Sequence, residues 1–138
     1  MNIFYDYDEG LEINEEKISD WLGTVIINEN KSLGEIVFRF IGDEELLEIN
    51  REYLQHDYYT DIITFDNSYL RKVSGEIFIS IDRIKENAES ENNKFLTELY
   101  RIIVHGILHL CGYKDGTSEE KRLMTEKEDT YLTILLKK

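Results

Sequence analysis

Two histidines four residues apart, His105 and His109, lie in the stretch RIIVHGILHLCGYKD that runs from Arg101 to Asp115. On a helix, positions i and i+4 stack on one face, so two imidazoles at this spacing can converge on one metal ion. Gly112 follows, and a glycine just past a helix end lets the chain turn back sharply. That turn can swing Asp115 toward the same point, giving a His, His, Asp set with an open coordination position. An HxxxH pair on a helix is the arrangement of metallohydrolases, and zinc proteases add a glutamate after the first histidine as general base. Here that position is Gly106, so the protease base is missing. The alternative is that both histidines are core residues bonded to backbone carbonyls. The glycine break and the carboxylate beyond it favour the metal.

The elements that must hold these residues follow from periodicity. A long helix from about Phe95 to Cys111, with Phe95, Leu99, Ile102, Ile103 and Leu110 at helical spacing, is expected to be the central buried helix. Upstream, Ile3 to Tyr5 reads as a short strand. Asn14 opens a helix whose Ile18, Trp21, Leu22, Val25 and Ile26 form one apolar stripe. Glu35 to Ile41 alternates as a half-buried strand. DEELLEINREYL, entered through Gly42 and Asp43, reads as a helix with Leu46, Leu47, Ile49, Tyr53 and Leu54 inside. TDIITFD and Gly75 to Ile81 read as two strands close in sequence, followed by a helix from Asp82 and a polar break at Glu91 to Asn93. After the GYKDG turn, a last amphipathic helix starts at Ser118 and covers the core with Leu123, Met124, Tyr131, Leu132 and Leu135. The expected fold is one α+β domain over residues 1–138, a mixed β-sheet packed by helices.

Composition limits the function classes. The chain has 138 residues and a formal net charge of −13, so it offers no bulk attraction to a phosphate backbone. Any nucleic-acid contact must come from a local basic patch or a bound cation. A single cysteine, Cys111, excludes an internal disulfide framework and suits a reducing compartment. On a helix it is turned away from His109, toward the core. No apolar run approaches a membrane span, and the first residues carry no signal-like segment. The sequence therefore reads as a soluble, cytoplasmic protein.

HGILHLCGYKD resembles the HGxLHLxGYDH signature of the YbeY family of metal-dependent endoribonucleases. TDIITFD is similar to that family's TDVLSF motif and GEIFIS to its GDIxI strand, in the same order and at similar spacing. The resemblance covers nearly the whole chain. It implies a fold related to zinc metalloproteases, with the HxxxH helix in the core, and a zinc-dependent activity directed at single-stranded RNA. It also implies a role in maturing the 3′ end of 16S ribosomal RNA and in ribosome quality control, with the small ribosomal subunit as partner and no DNA substrate. One zinc ion per chain would be held by His105, His109 and Asp115. The last of these stands where the family has a histidine. A carboxylate oxygen binds zinc at nearly the same distance as an imidazole nitrogen, about 2.0–2.2 Å. Its charge lowers that of the site from plus two to plus one, which predicts a weaker Lewis acid and opens the site to manganese or iron.

Other residues are placed by the same comparison or by charge. The family's basic residue before the TD motif aligns with Leu54, and Arg51, one turn earlier on the same face, is the candidate catalytic arginine; the alternative is a surface arginine paired with Glu48 or Glu52. Lys114, beside the ligand turn, is a candidate phosphate contact, and otherwise a solvent-facing lysine. Thr60 and Asp61 either line the cleft or end a strand. Arg71 and Lys72, with Arg83 and Lys85, make a local basic surplus between Ser68 and Lys85 that could track RNA. Tyr53, Tyr58 and Tyr59 could stack on unpaired bases, with half-buried packing the favoured alternative. His56 is a spare ligand or an exposed loop residue. Three functions remain open: a metallo-endoribonuclease, a metal-dependent hydrolase of another substrate, and a ribosome-associated binding factor with a structural metal.

Overall fold

The structure is a computed structural model that describes residues 2–137. Nine elements follow one another: β1 (Ile3–Asp6), α1 (Glu15–Asn28), β2 (Ser32–Ile41), α2 (Asp43–Leu54), β3 (Ile62–Asp66), β4 (Lys72–Ser80), α3 (Ile81–Ser90), α4 (Phe95–Leu110) and α5 (Ser118–Leu136). The strands form one sheet in the order β1-β2-β4-β3, with β1, β2 and β4 parallel and β3 antiparallel to β4. The fold is therefore the expected α+β architecture with a mixed sheet. No helix among the described residues is long and apolar enough to cross a membrane.

Alternation along the strands sends two sets of side chains to opposite faces. Ile36, Phe38 and Phe40 of β2 and Val73, Ile77 and Ile79 of β4 are buried on one face, against α1 and α4. Gly75 and Gly106 allow α4 to lie close to the sheet. A Cβ at Gly75 would sit 2.8 Å from Leu110, and one at Gly106 would sit 3.1 Å from both Ile62 and Ile77. The other face is covered in part by α2, and Arg39 there bridges Asp6 and Glu76. Because β3 is paired on one side only, it forms an open edge of the sheet.

The local sequence accounts for most boundaries. Asn14 caps α1 by accepting from the Lys17 amide. Cys111 and Gly112 close α4: Gly112 takes φ +109°, and the Tyr113 amide reaches back to the Leu108 carbonyl at 3.0 Å. The Trp21 indole donates to the Tyr131 carbonyl and ties α1 to α5.

Four expectations are corrected. β2 begins at Ser32 and β4 at Lys72, because polar residues there pair through backbone and give no apolar alternation; the pairing register shifts between Leu33 and Ile36. Ile81 opens α3 rather than ending β4, because the Ser80 hydroxyl accepts from the Arg83 amide as an N-cap. α5 starts at Ser118 as expected, behind a Thr117 cap in a reciprocal box with Glu120, but Leu123 does not cover the core and is exposed. Tyr53 and Leu54 are also exposed. Asn50 takes the inner position and donates to the Tyr58 carbonyl, so the returning loop closes the inner face of α2.

Candidate metal centre

His105 and His109 lie on the last two turns of α4, and the Gly112 turn brings Asp115 back over them. Nε2 of His105 is 3.0 Å from Nε2 of His109, and the two nitrogens lie 3.3 and 3.4 Å from Oδ2 of Asp115. These three residues form a group able to hold a metal ion. Donors of a tetrahedral zinc site with bonds of about 2.0–2.2 Å stand about 3.3–3.6 Å apart, so the triangle fits with small adjustment.

The ring tautomers make the fit specific. Nδ1 of His109 is 2.9 Å from the Tyr113 carbonyl, which can only accept, so Nδ1 carries the proton. Nδ1 of His105 is 2.6 Å from Oε2 of Glu128 and donates to that carboxylate. Each Nε2 therefore turns a lone pair toward the other and toward a carboxylate oxygen. Three electron pairs aimed at one point repel one another until a cation sits between them.

Glu128 was not among the residues singled out from the sequence. It is buried on α5 and accepts from Arg101 as well as His105, so its charge is fully engaged. The available signal was an acid on an apolar stripe: position 128 lies four residues from both Met124 and Leu132, both buried. Burial disfavours the His105 imidazolium, but the Glu128 hydrogen bond and the charges of Glu128, Asp115 and Asp61 outweigh it and hold the His105 pKa above its ordinary value. Without a cation, a proton meets the same demand for positive charge.

The group opens on a cleft of about 600 Å³ that follows the β3 edge and includes Leu54, Thr60, Asp61, Thr64, Asp66 and Lys114 in its wall. His105 and His109 side chains are 17% and 26% exposed, so a bound ion would keep a solvent-facing position. A second hollow of about 350 Å³ adjoins on the far side of His105 and shares Asp61 and Asp115 with the cleft. Burial raises the Asp61 pKa, opposed by the charge of His105 and supported by that of Asp115. Another hollow, about 570 Å³ between Tyr7, Phe40 and Phe95, does not include the histidines.

The remaining candidates divide. Lys114, Thr60 and Asp61 do line the cleft. Arg51 does not line it: its guanidinium is bound to Asp57 and Glu48 on the surface. Arg71, Lys72, Arg83 and Lys85 do not line it either. Arg83 is held by Asp43 and Glu86, and Lys85 borders the hollow near Phe40. Tyr53, Tyr58 and Tyr59 are exposed rather than packed. His56 is an exposed loop residue stacked on Tyr58, and the partly buried Cys111 thiol packs against the core with its pKa pushed up by burial to about 11.

Gly106, at the position of the protease glutamate, is closely packed against the sheet. A Cβ there would sit 3.1 Å from side-chain carbons of Ile62 and Ile77, so any larger residue requires those side chains to give by a few tenths of an ångström.

The sequence profile of the family described as Endoribonuclease YbeY matches residues 4–136. Curated proteins named Endoribonuclease YbeY are similar along nearly their full length. That of Cytophaga hutchinsonii is 47% identical over 95% of this chain and 93% of its own, and that of Karelsulcia muelleri is 47% identical over 100% and 97%. The solution structure of TM1509 from Thermotoga maritima superposes with a TM-score of 0.68 at 26% identity, covering 96% of this chain and 88% of that one. With a family profile spanning almost every residue, and relatives of this similarity, the chain belongs to the endoribonuclease YbeY family.

Proposed function

We infer that this protein is a metal-dependent endoribonuclease that cuts single-stranded RNA at a centre formed by His105, His109 and Asp115. The observation that carries the reading is the convergence of two Nε2 lone pairs and one carboxylate oxygen within 3.0–3.4 Å of one another, at the wall of an open cleft. The metal is zinc in this reading, one ion per chain, with manganese or iron also compatible with the oxygen ligand. When bound, it supplies a Lewis acid that lowers the pKa of a water and polarises a phosphoryl oxygen.

The chain's own residues do the rest. Glu128 and the Tyr113 carbonyl fix both imidazole tautomers and hold their Nε2 atoms toward the ligand point. Lys114 meets a phosphate oxygen on the cleft wall and offsets charge that develops there. Asp61, a cleft carboxylate outside the ligand set, takes the proton of the attacking oxygen. Arg51 would add charge only after leaving Asp57 and Glu48, and Arg71 and Lys72 would contact only RNA that extends beyond the cleft. The substrate in this reading is the 3′ end of 16S ribosomal RNA on the small subunit in the cytoplasm. The open ligand position argues against a purely structural metal, which is usually closed by four protein ligands.

Metal analysis of purified wild type, His109→Ala and Asp115→Ala tests the assignment: wild type holds about one ion and each variant loses most of it. Equal content in all three would remove the site. Cleavage of a single-stranded oligoribonucleotide should stop on chelation and return with added zinc. Metal-loaded protein that cuts no RNA with any divalent ion would leave the binding-factor reading.

A further inference from the structure

The antiparallel register of β3 decides which of its backbone groups reach the cleft. In such a pair, residues alternate between exchanging both ladder bonds with the neighbouring strand and turning both groups outward. At the two ends of the β3/β4 ladder, the Ser80 amide donates to the Asp61 carbonyl and the Asn67 amide to the Ser74 carbonyl, each at 2.9 Å. Both pairs continue the register that runs from Ile62↔Ile79 to Asp66↔Gly75. Asp61, Ile63, Phe65 and Asn67 therefore bond to β4, and the amides and carbonyls of Ile62, Thr64 and Asp66 point off the free edge.

That edge is a wall of the metal cleft. The run from Thr60 to Thr64 lines it, with His105, His109 and the turn from Gly112 to Asp115 completing the lining. The three outward positions are not equivalent. The Ile62 amide lies against the Asp61 carboxylate, and the Ile62 carbonyl takes the Thr60 hydroxyl at 3.3 Å. The Asp66 amide belongs to a residue whose own carboxylate, bonded to the Ser68 amide at 2.8 Å, repels a phosphate. Thr64 differs from both: among the described residues its amide has no partner, and its side chain is uncharged.

We propose that the Thr64 amide donates to an RNA phosphate next to the one at the metal centre, and so fixes the position of the strand along the β3 edge. The contact rests on the RNA-cleaving reading above and adds a positioning group to it. Backbone amides set the register of a nucleic-acid strand through its phosphates and carry no sequence preference. In this cleft the charge available for that task is small, because Lys114 is the one lysine or arginine in the lining, beside Asp61, Asp66 and Asp115. An open edge also suits an extended polypeptide, which would pair with both the N–H and the C=O of Thr64. Membership of an endoribonuclease family favours the phosphate, which takes the N–H alone.

The test is equilibrium binding of a labelled, 2′-O-methylated RNA decamer to the zinc-loaded full chain, with the oligomer checked by gel for integrity. Replacing the peptide bond before Thr64 by an ester, through the α-hydroxy analogue of threonine, removes this N–H and keeps the side chain. Binding should weaken about ten-fold, the scale of one hydrogen bond to a charged group. Thr64→Pro should lose as much, since an outward edge position has no ladder bond for proline to break. Zinc content and Tm check the fold of both variants. A methylphosphonate placed at each linkage in turn should reveal one linkage that costs wild type about ten-fold and the ester variant almost nothing, because both changes remove the same contact. An ester variant that binds like wild type, or linkage losses identical in the two proteins, would overturn the contact while leaving the RNA reading intact. An alternating Lys/Val decapeptide that binds through the Thr64 amide, with no linkage of the RNA sensitive to it, would give the edge to a polypeptide instead. Failure of wild type both to bind and to cut any RNA would overturn both readings.

Discussion

Oε2 of Glu128 lies 2.6 Å from Nδ1 of His105, although the two residues are 23 positions apart and on different helices. The contact turns an ordinary imidazole into one whose other nitrogen is fixed as an electron-pair donor at the candidate centre. Arg101 holds the same carboxylate from α4 at 2.9 Å. Carboxylate, histidine and ligand point thus form one line across the α4/α5 interface.

Glu128→Gln keeps the shape and removes the charge. It should reduce metal affinity by about 10- to 100-fold, read by competition with a chromogenic chelator, because outer partners of this kind orient the ring and raise its basicity. Affinity equal to wild type would mean that Glu128 serves only to pair Arg101.

Asp115→His restores three neutral donors. The side chain sits at the open edge of the group, 44% exposed, so a larger ring can be accommodated. Zinc held by three imidazoles is a stronger Lewis acid than zinc held by two and a carboxylate. The acidic limb of the pH–rate profile for RNA cleavage should therefore move to lower pH, with unchanged metal stoichiometry. A shift to higher pH would contradict the charge argument.

Glu29 links the end of α1 to Tyr113, Tyr131 and Lys127. Burial works to raise its pKa, but the two tyrosine hydroxyls and the lysine charge outweigh burial and leave it below the ordinary value of 4.5. A lowered folded pKa means that the charged form stabilises the fold, fully above about pH 4.5 and progressively less as pH falls through the folded value. Glu29→Gln should cost about 1–2 kcal/mol at pH 7, and the gap from wild type should narrow below pH 4 in denaturant titrations. A gap that widens on acidification would reverse the assigned sign.

Gly106→Ala places a methyl group 3.1 Å from Ile62 and from Ile77. Overpacking of this kind costs about 1–3 kcal/mol and should lower Tm by several degrees. Since α4 must lift slightly from the sheet, metal affinity should fall with it. Unchanged Tm and unchanged affinity would show that the isoleucines yield without moving the helix.

The sequence by itself determined the parts that depend on neighbours along the chain. The i, i+4 spacing of His105 and His109 and the glycine that ends their helix are consequences of local backbone geometry, and so are the alternating strands. Even the return of Asp115 was legible, because it lies only six positions beyond His109 and Gly112 makes the turn between them. Tertiary structure alone decided what depends on packing between distant segments. It brought Glu128 to His105, closed α2 with the Tyr58 carbonyl and so left Tyr53 and Leu54 outside, and paired Arg51 with Asp57 away from the cleft. A helical stripe shows which residues share a face, but the face that finds a partner is fixed by the area and polarity of what lies opposite. On that ground the metal ligands could be read from a few adjacent turns, whereas the groups that orient them and the surface that would receive the strand emerged only when the helices met the sheet.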